Sequence, residues 1–177
     1  MTDAAWRVIE SATEYETGWY DGGYDLVEQP DGSTKRYYWA DLPAAVVVVP
    51  LLDDEIVFVE QYRPTVRETC LELPAGIVES AESYRDAARR ELAEETGYTA
   101  DSLTDLQRVD VATGVLRHER GYVLATDLDA GGRRLDPNEF LSVRTVSIEE
   151  AIDLARTQPA NDATLEGLLL AKEDGHL

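Results

Sequence analysis

An α/β/α sandwich built on a mixed sheet, preceded by an antiparallel β hairpin or meander, is the fold class this sequence predicts. Three observations carry the prediction. Residues 44–49 and 56–59 are continuous apolar runs joined by Asp53-Asp54, the pattern of strands covered on both faces. Residues 84–96 are bounded like a helix, with Ser83 and Asp86 as a capping-box start and Gly97 as a stop. Two more helix signals close the chain, so helices and strands interleave and fit on both faces of one sheet.

Taken in order, residues 6–39 alternate aromatic or β-branched with polar side chains, and Pro30-Asp31-Gly32-Ser33 punctuates them as a turn between antiparallel strands. Leu71-Glu72-Leu73-Pro74-Ala75-Gly76 is a loop signal between the sheet core and the first helix. Strands are expected at 109–113, 122–125 and 141–146. Ser147 with Glu150 starts a second helix, and after Pro159 and Asn161-Asp162 a third carries Leu165, Leu168 and Leu169 on one side. No repeat, low-complexity tract or linker interrupts this order. The chain divides into an N-terminal β segment at 1–42 and a main domain at 43–177.

Charge narrows the partners. Thirty-six acidic against sixteen basic residues leave a formal net charge of -20 and a pI near 4.3, which repels duplex nucleic acid and anionic lipid. Lys35 and Lys172 are the only lysines; every other cation is an arginine. This acid-rich, lysine-poor composition resembles that of salt-accumulating halophiles, where counter-ions screen self-repulsion. Cys70 is the single cysteine, so it forms no intrachain disulfide and reads as a small buried apolar residue. With only His118 and His176 beside it, a thiolate-histidine zinc cluster is excluded. Residues 1–10 lack the basic start and apolar run of a signal peptide. The longest apolar stretch, 42–52, is about half a membrane span and holds Pro43 and Pro50. A cytoplasmic location is the expectation.

On a helical wheel at about 100° per residue, Tyr84, Ala88 and Leu92 form the inward stripe, flanked by Ala87. Glu91 and Glu95 fall within it, Glu94 lies on its shoulder, and Arg85, Asp86, Arg89 and Ala93 point elsewhere. A purely structural helix would carry Leu or Ile at 91 and 95, because a buried, unpaired carboxylate is costly. Three readings are open: a partly buried ion pair with Arg90, a surface helix of an acidic protein in which glutamate is simply common, or a divalent cation. Three carboxylates within one turn raise one another's pKa values unless a cation separates them, and oxygen-only ligands select hard ions such as Mg2+ or Mn2+.

Gly76, five residues, Glu82, seven residues, then Arg90-Glu91-Leu92-Ala93-Glu94-Glu95-Thr96-Gly97-Tyr98 resembles the signature of the Nudix hydrolases, with the glycines, the arginine and four glutamates in register. Tyr98 stands where that family usually has an aliphatic residue. The resemblance implies a Nudix-like sandwich and a loop-helix-loop that holds Mg2+ or Mn2+ against a diphosphate, so that water attacks phosphorus. It also implies Glu91, Glu94 and Glu95 as metal ligands and catalytic residues, with the Ala75 carbonyl as a backbone ligand. Gly76, Glu82, Arg90 and Gly97 are then structural, Glu82 pairing with Arg90 to fix the loop on the helix. The chemistry is sound in itself, since metal ions neutralise phosphate charge, polarise phosphorus and lower the pKa of bound water.

Glu60-Gln61-Tyr62-Arg63-Pro64, the 71–76 loop, Ala125-Thr126-Asp127-Leu128 and Ala163-Thr164-Leu165 are similar to the ADP-ribose pyrophosphatase branch of that family. Arg63 is then the diphosphate contact, as a bidentate donor should be, with Arg67 a second candidate. The branch has Ser-Pro-Gly where this chain has Ala112-Thr113-Gly114, and a catalytic glutamate where this chain has His118, with Glu119 next. Glu119 after a one-residue shift, His118 in its place, and a helix glutamate are the three alternatives for the base. By the same resemblance the N-terminal sheet swaps between subunits of a homodimer and supplies a base-stacking aromatic, for which Trp19, Tyr20 and Trp39 are candidates. The expected activity is metal-dependent hydrolysis of ADP-ribose or a related nucleoside diphosphate sugar to a nucleoside monophosphate and a sugar phosphate. The alternatives are a nucleoside triphosphate pyrophosphohydrolase, a non-catalytic nucleotide-sugar-binding regulator and a calcium-stabilised structural domain.

Overall fold

The computed structural model describes residues 5–133 and 140–177, so the first four residues of the expected 1–42 segment lie outside the described residues. The alternating N-terminal stretch forms three strands, β1 (Arg7–Glu16), β2 (Asp21–Glu28) and β3 (Thr34–Asp41), each antiparallel to the next. The expected turn closes β2 onto β3. Backbones of Gln29 and Ser33 bond at 2.8 Å, the Asp31 carboxylate accepts the Ser33 N–H, and Gly32 takes a φ of 82°.

The rest of the chain runs β4 (Ala45–Leu52), β5 (Glu55–Arg63), β6 (Glu68–Glu72), β7 (Ala75–Ile77), α1 (Tyr84–Thr96), β8 (Tyr98–Asp110), β9 (Leu116–Arg117), β10 (Glu119–Ala130), β11 (Leu141–Ser147), α2 (Ile148–Ala155) and α3 (Asp162–Glu173). Two compact units result: Met1–Ala44 with Val109–Glu119, and Ala45–Arg108 with Arg120–Leu177. In the first unit β9 adds to β3 in parallel, extending the order β1-β2-β3-β9.

In the second unit the main sheet has the order β11-β5-β4-β10-β8, with β6 on β5 and β7 on β4. It is mixed: β4 and β10 run parallel, whereas β5 is antiparallel to β4, β6 and β11. The two apolar runs are its centre, and Val46 to Val49 and Ile56 to Val59 are all buried. One pair of neighbours on β10 shows that helices cover both faces. A Cβ on Gly121 would strike the Tyr84 ring of α1, while Tyr122 bonds Glu166 of α3. Successive strand residues point to opposite faces, so α1 and α3 lie on opposite sides of the sheet.

One expected strand is displaced. In place of 109–113, β8 starts at Tyr98 and ends at Asp110, and Thr113 lies beyond it. Its partly covered residues are Tyr98, Leu103, Leu106 and Val109, with Ala100 buried. Three-residue spacing hides the period-two signal by which a half-buried strand is recognised. Among the described residues no helix is long and apolar enough to cross a membrane.

Candidate active site

Helix α1 follows from its ends and its face. The Ser83 hydroxyl accepts the Asp86 N–H at 3.1 Å, and Gly97 at φ 80° returns its N–H to the Ala93 carbonyl. Tyr84, Ala87, Ala88 and Leu92 are buried as the wheel requires, and Glu91 and Glu95 are buried with them at 7% and 4% exposure. Glu94 is half-buried on the shoulder.

Strand β7 lays the loop backbone directly over these acids. A Cβ on Gly76 would strike the Glu91 carboxylate, so glycine lets the backbone approach the acid without displacing it. The Ala75 N–H donates to Glu95 at 3.1 Å. Arg90 closes the assembly. Its guanidinium donates to both oxygens of Glu82 at 3.1 and 2.9 Å, to Glu91 at 2.7 Å, to Glu94 at 3.2 Å and to the Ile77 carbonyl at 2.8 Å. The Arg90 donors hold the Glu82 carboxyl below its ordinary range against the effect of burial. The expected Glu82–Arg90 pair is therefore present, and the same arginine also bridges two of the three proposed ligands.

Among the described residues, no three acid, histidine or cysteine side chains converge as a ready cation site. Arg90 instead draws Glu91 and Glu94 to itself. The donor set nonetheless fits a hard divalent ion. Three carboxylates share a single helical turn beneath the backbone of Ala75 and Gly76, and one guanidinium bridges two of them, Glu91 and Glu94.

Beside this turn lies a concavity of about 470 Å³ lined by Gln61, Tyr62, Arg63, Pro64, Ala75, Glu95 and Phe140. It brings Arg63 and Glu95 to one cavity. Arg67 does not line it; it takes a left-handed φ of 61° and returns its N–H to the Arg63 carbonyl. Sequence reasoning missed Glu72, a buried carboxylate that bonds Arg63 at 2.6 and 2.9 Å. The available signal was its place two residues after Cys70, on the inward face of β6.

The remaining candidates lie in the first unit. Glu119 opens β10 and His118 precedes it, both on a concavity of about 600 Å³ that also takes in Asp41, Asp110 and Arg117. His118 Nδ1 is 2.8 Å from the Pro43 carbonyl, which can only accept, so Nδ1 carries the proton in this contact. Trp39 is fixed: its indole N–H bonds Asp25, and the Arg117 guanidinium lies 3.9 Å from its ring centre. Trp19 and Tyr20 are exposed.

Fold and site together define a class of protein in which a loop closes over a carboxylate-bearing helix on a mixed sheet. The family model described as NUDIX domain matches residues 41–168, and the chain belongs to that family of hydrolases. It is 35% identical over 140 residues to a protein of Bacillus subtilis (strain 168) named ADP-ribose pyrophosphatase, covering 77% of this chain and 76% of that one. A Bacillus methanolicus protein named methanol dehydrogenase activator is 32% identical over 144 residues, 78% of this chain and 77% of its own. A solved structure described as ADP compounds hydrolase superposes with a TM-score of 0.88 over 98% of each chain at 24% identity, a likeness of fold. Nudix hydrolases generally need divalent metal ions.

Proposed function

We propose that this protein hydrolyses the diphosphate of ADP-ribose or a related nucleoside diphosphate sugar, with Mg2+ or Mn2+, as a cytoplasmic homodimer joined through its 1–42 segment. The observation that carries the reading is the seat of Gly76 on the buried Glu91 carboxylate, an arrangement that suits a backbone sharing a cation with its acids. The 35% identity to the relative named ADP-ribose pyrophosphatase supports the substrate.

Glu91, Glu94 and Glu95, with the Ala75 carbonyl, would hold the metal. When bound, it neutralises phosphate charge and lowers the pKa of a coordinated water. Arg63 orients the diphosphate from the side of the cavity, its guanidinium matching two phosphate oxygens. Arg90 and Glu82 hold the loop. Glu119 takes the proton of the attacking water, with His118 Nε2 or a helix glutamate as the alternative acceptor.

The test is product analysis with Mg2+ or Mn2+ at high salt, using ADP-ribose, other nucleotide sugars and nucleoside triphosphates. AMP with ribose phosphate supports the proposal. Pyrophosphate from a triphosphate supports a different substrate class. Tight binding without product would align the chain with the regulator reading.

A further inference from the structure

Among the described residues, the second unit holds one buried carboxylate, Glu72, with no part in the proposed mechanism. Glu72 ends β6, which pairs with β5 so that Val59 stands opposite Glu72 and Gln61 opposite Cys70. Residues 59, 61 and 63 share a face of β5, and Glu72 shares it from across the ladder. At 9% exposure an unpartnered carboxylate would be costly there, and both of its oxygens are used. Oε2 accepts from Gln61 at 2.9 Å, from Arg63 Nε at 2.9 Å and from Arg63 Nη2 at 2.6 Å. Oε1 accepts from Asn161 Nδ2 at 3.4 Å.

Asn161 is itself fixed. It caps α3 by accepting the Thr164 N–H at 2.8 Å, and the Thr164 hydroxyl accepts the Leu73 N–H at 3.1 Å. Gly167 brings α3 so close that a Cβ there would meet Leu73 at 2.8 Å. The start of α3 is thus locked to the residue after Glu72, and Glu72 is locked to one edge of the Arg63 guanidinium. Nη1 of Arg63 has no partner among the described residues, and Arg63 lines the cavity that contains Glu95.

We propose that Glu72, seated by Asn161 of the α3 cap, is a positioning residue that presets the Arg63 guanidinium so that its open edge meets the substrate diphosphate. This rests on the reading of Arg63 as the diphosphate contact. Holding the fork in advance removes side-chain freedom that binding would otherwise have to remove, so the gain is in affinity for the diphosphate in both ground and transition states.

A double-mutant cycle between Glu72→Gln and Arg63→Ala tests it, with the melting temperature of each variant measured alongside kcat/KM for ADP-ribose. Glu72→Gln should lower kcat/KM about tenfold or more in the wild-type background and by less than about twofold in the Arg63→Ala background. Glu72→Asp should recover part of the loss. Equal losses in both backgrounds would overturn the proposal, because Glu72 would then act independently of Arg63; so would no loss in either. Should Glu72→Gln fail to fold, Asn161→Asp replaces it, since the aspartate keeps the helix cap but offers Glu72 no donor; its loss, about threefold, should likewise vanish in Arg63→Ala. If the wild type leaves ADP-ribose intact, the hydrolase reading fails by itself, and the cycle is read in the calorimetric Kd for ADP with EDTA present. A wild type that binds no ADP, or an Arg63→Ala variant that binds it as well as the wild type does, would then overturn the positioning proposal.

Discussion

Two arginines flank the loop from Glu72 to Ile77, and the protein uses them differently. Arg90 makes five hydrogen bonds, to Glu82, Glu91, Glu94 and the Ile77 carbonyl, which matches the five N–H groups a guanidinium has. Arg63 makes two, both to Glu72, among the described residues. A guanidinium saturated by its own chain fastens backbone to helix. One that is held along a single edge is oriented and still has donors for an anion. Residue type alone does not distinguish these roles; the count of acceptors within reach does.

Replacing Arg90 with lysine keeps the charge but offers three donors from one point, so it should have the largest effect. Arg90→Lys should lower the melting temperature by about 5 °C, corresponding to about 2 kcal/mol, and reduce turnover as the loop loosens. A variant with wild-type melting and activity would contradict the fastening role. Next in size is Arg63→Lys. Steady-state kinetics should show kcat/KM reduced about tenfold while the melting temperature stays within about 2 °C of wild type. Unfolding in place of that kinetic defect would make Arg63 structural too.

A third arginine sharpens the contrast from the first unit. Arg117 bonds Asp25 at 2.6 Å and covers Trp39. The Ser11 hydroxyl first, then the Trp39 indole and Arg117, hold the Asp25 carboxyl below its ordinary value of 3.8 against the effect of burial. A depressed carboxylate contributes stability that is whole above its unfolded value and is lost as pH falls through the folded one. Asp25→Asn should therefore melt lower than wild type at pH 7, by about 1–2 kcal/mol, and the gap should narrow between about pH 5 and pH 3. A gap that stays constant across that range would contradict the assignment. Smallest per contact is the general surface term. With a net charge of -20, melting temperature should rise with KCl beyond about 0.15 M, where simple screening of mesophilic surfaces has largely run its course. Full stability in dilute buffer would remove the halophile-like reading.

Local patterns made much of this legible in the sequence. The caps of α1, the two valine-rich runs of the central sheet and the inward placement of Glu91 and Glu95 all follow from spacing, and the structure reproduces them. What spacing could not show was partner choice. Helical periodicity puts Glu94 on the same face as Arg90 but does not say that Arg90 bonds both Glu94 and the adjacent Glu91. The Glu72–Arg63–Asn161 contact joins residues 63, 72 and 161, and only the packing of α3 against the end of β6 brings Asn161 to it. Strand β8 escaped for a different reason, its covered residues recurring at intervals of three.

On the proposed function, the carboxylates buried on α1 are there to share a divalent cation with the loop above them. Titration of Mn2+ followed by electron paramagnetic resonance tests it most directly, on the wild type, Glu91→Gln, Glu95→Gln and the fastening variant Glu82→Gln. The wild type should bind Mn2+, Glu91→Gln and Glu95→Gln should bind it at least about tenfold more weakly, and Glu82→Gln should change less. Equal Mn2+ affinity in all four proteins, or none in the wild type, would contradict it.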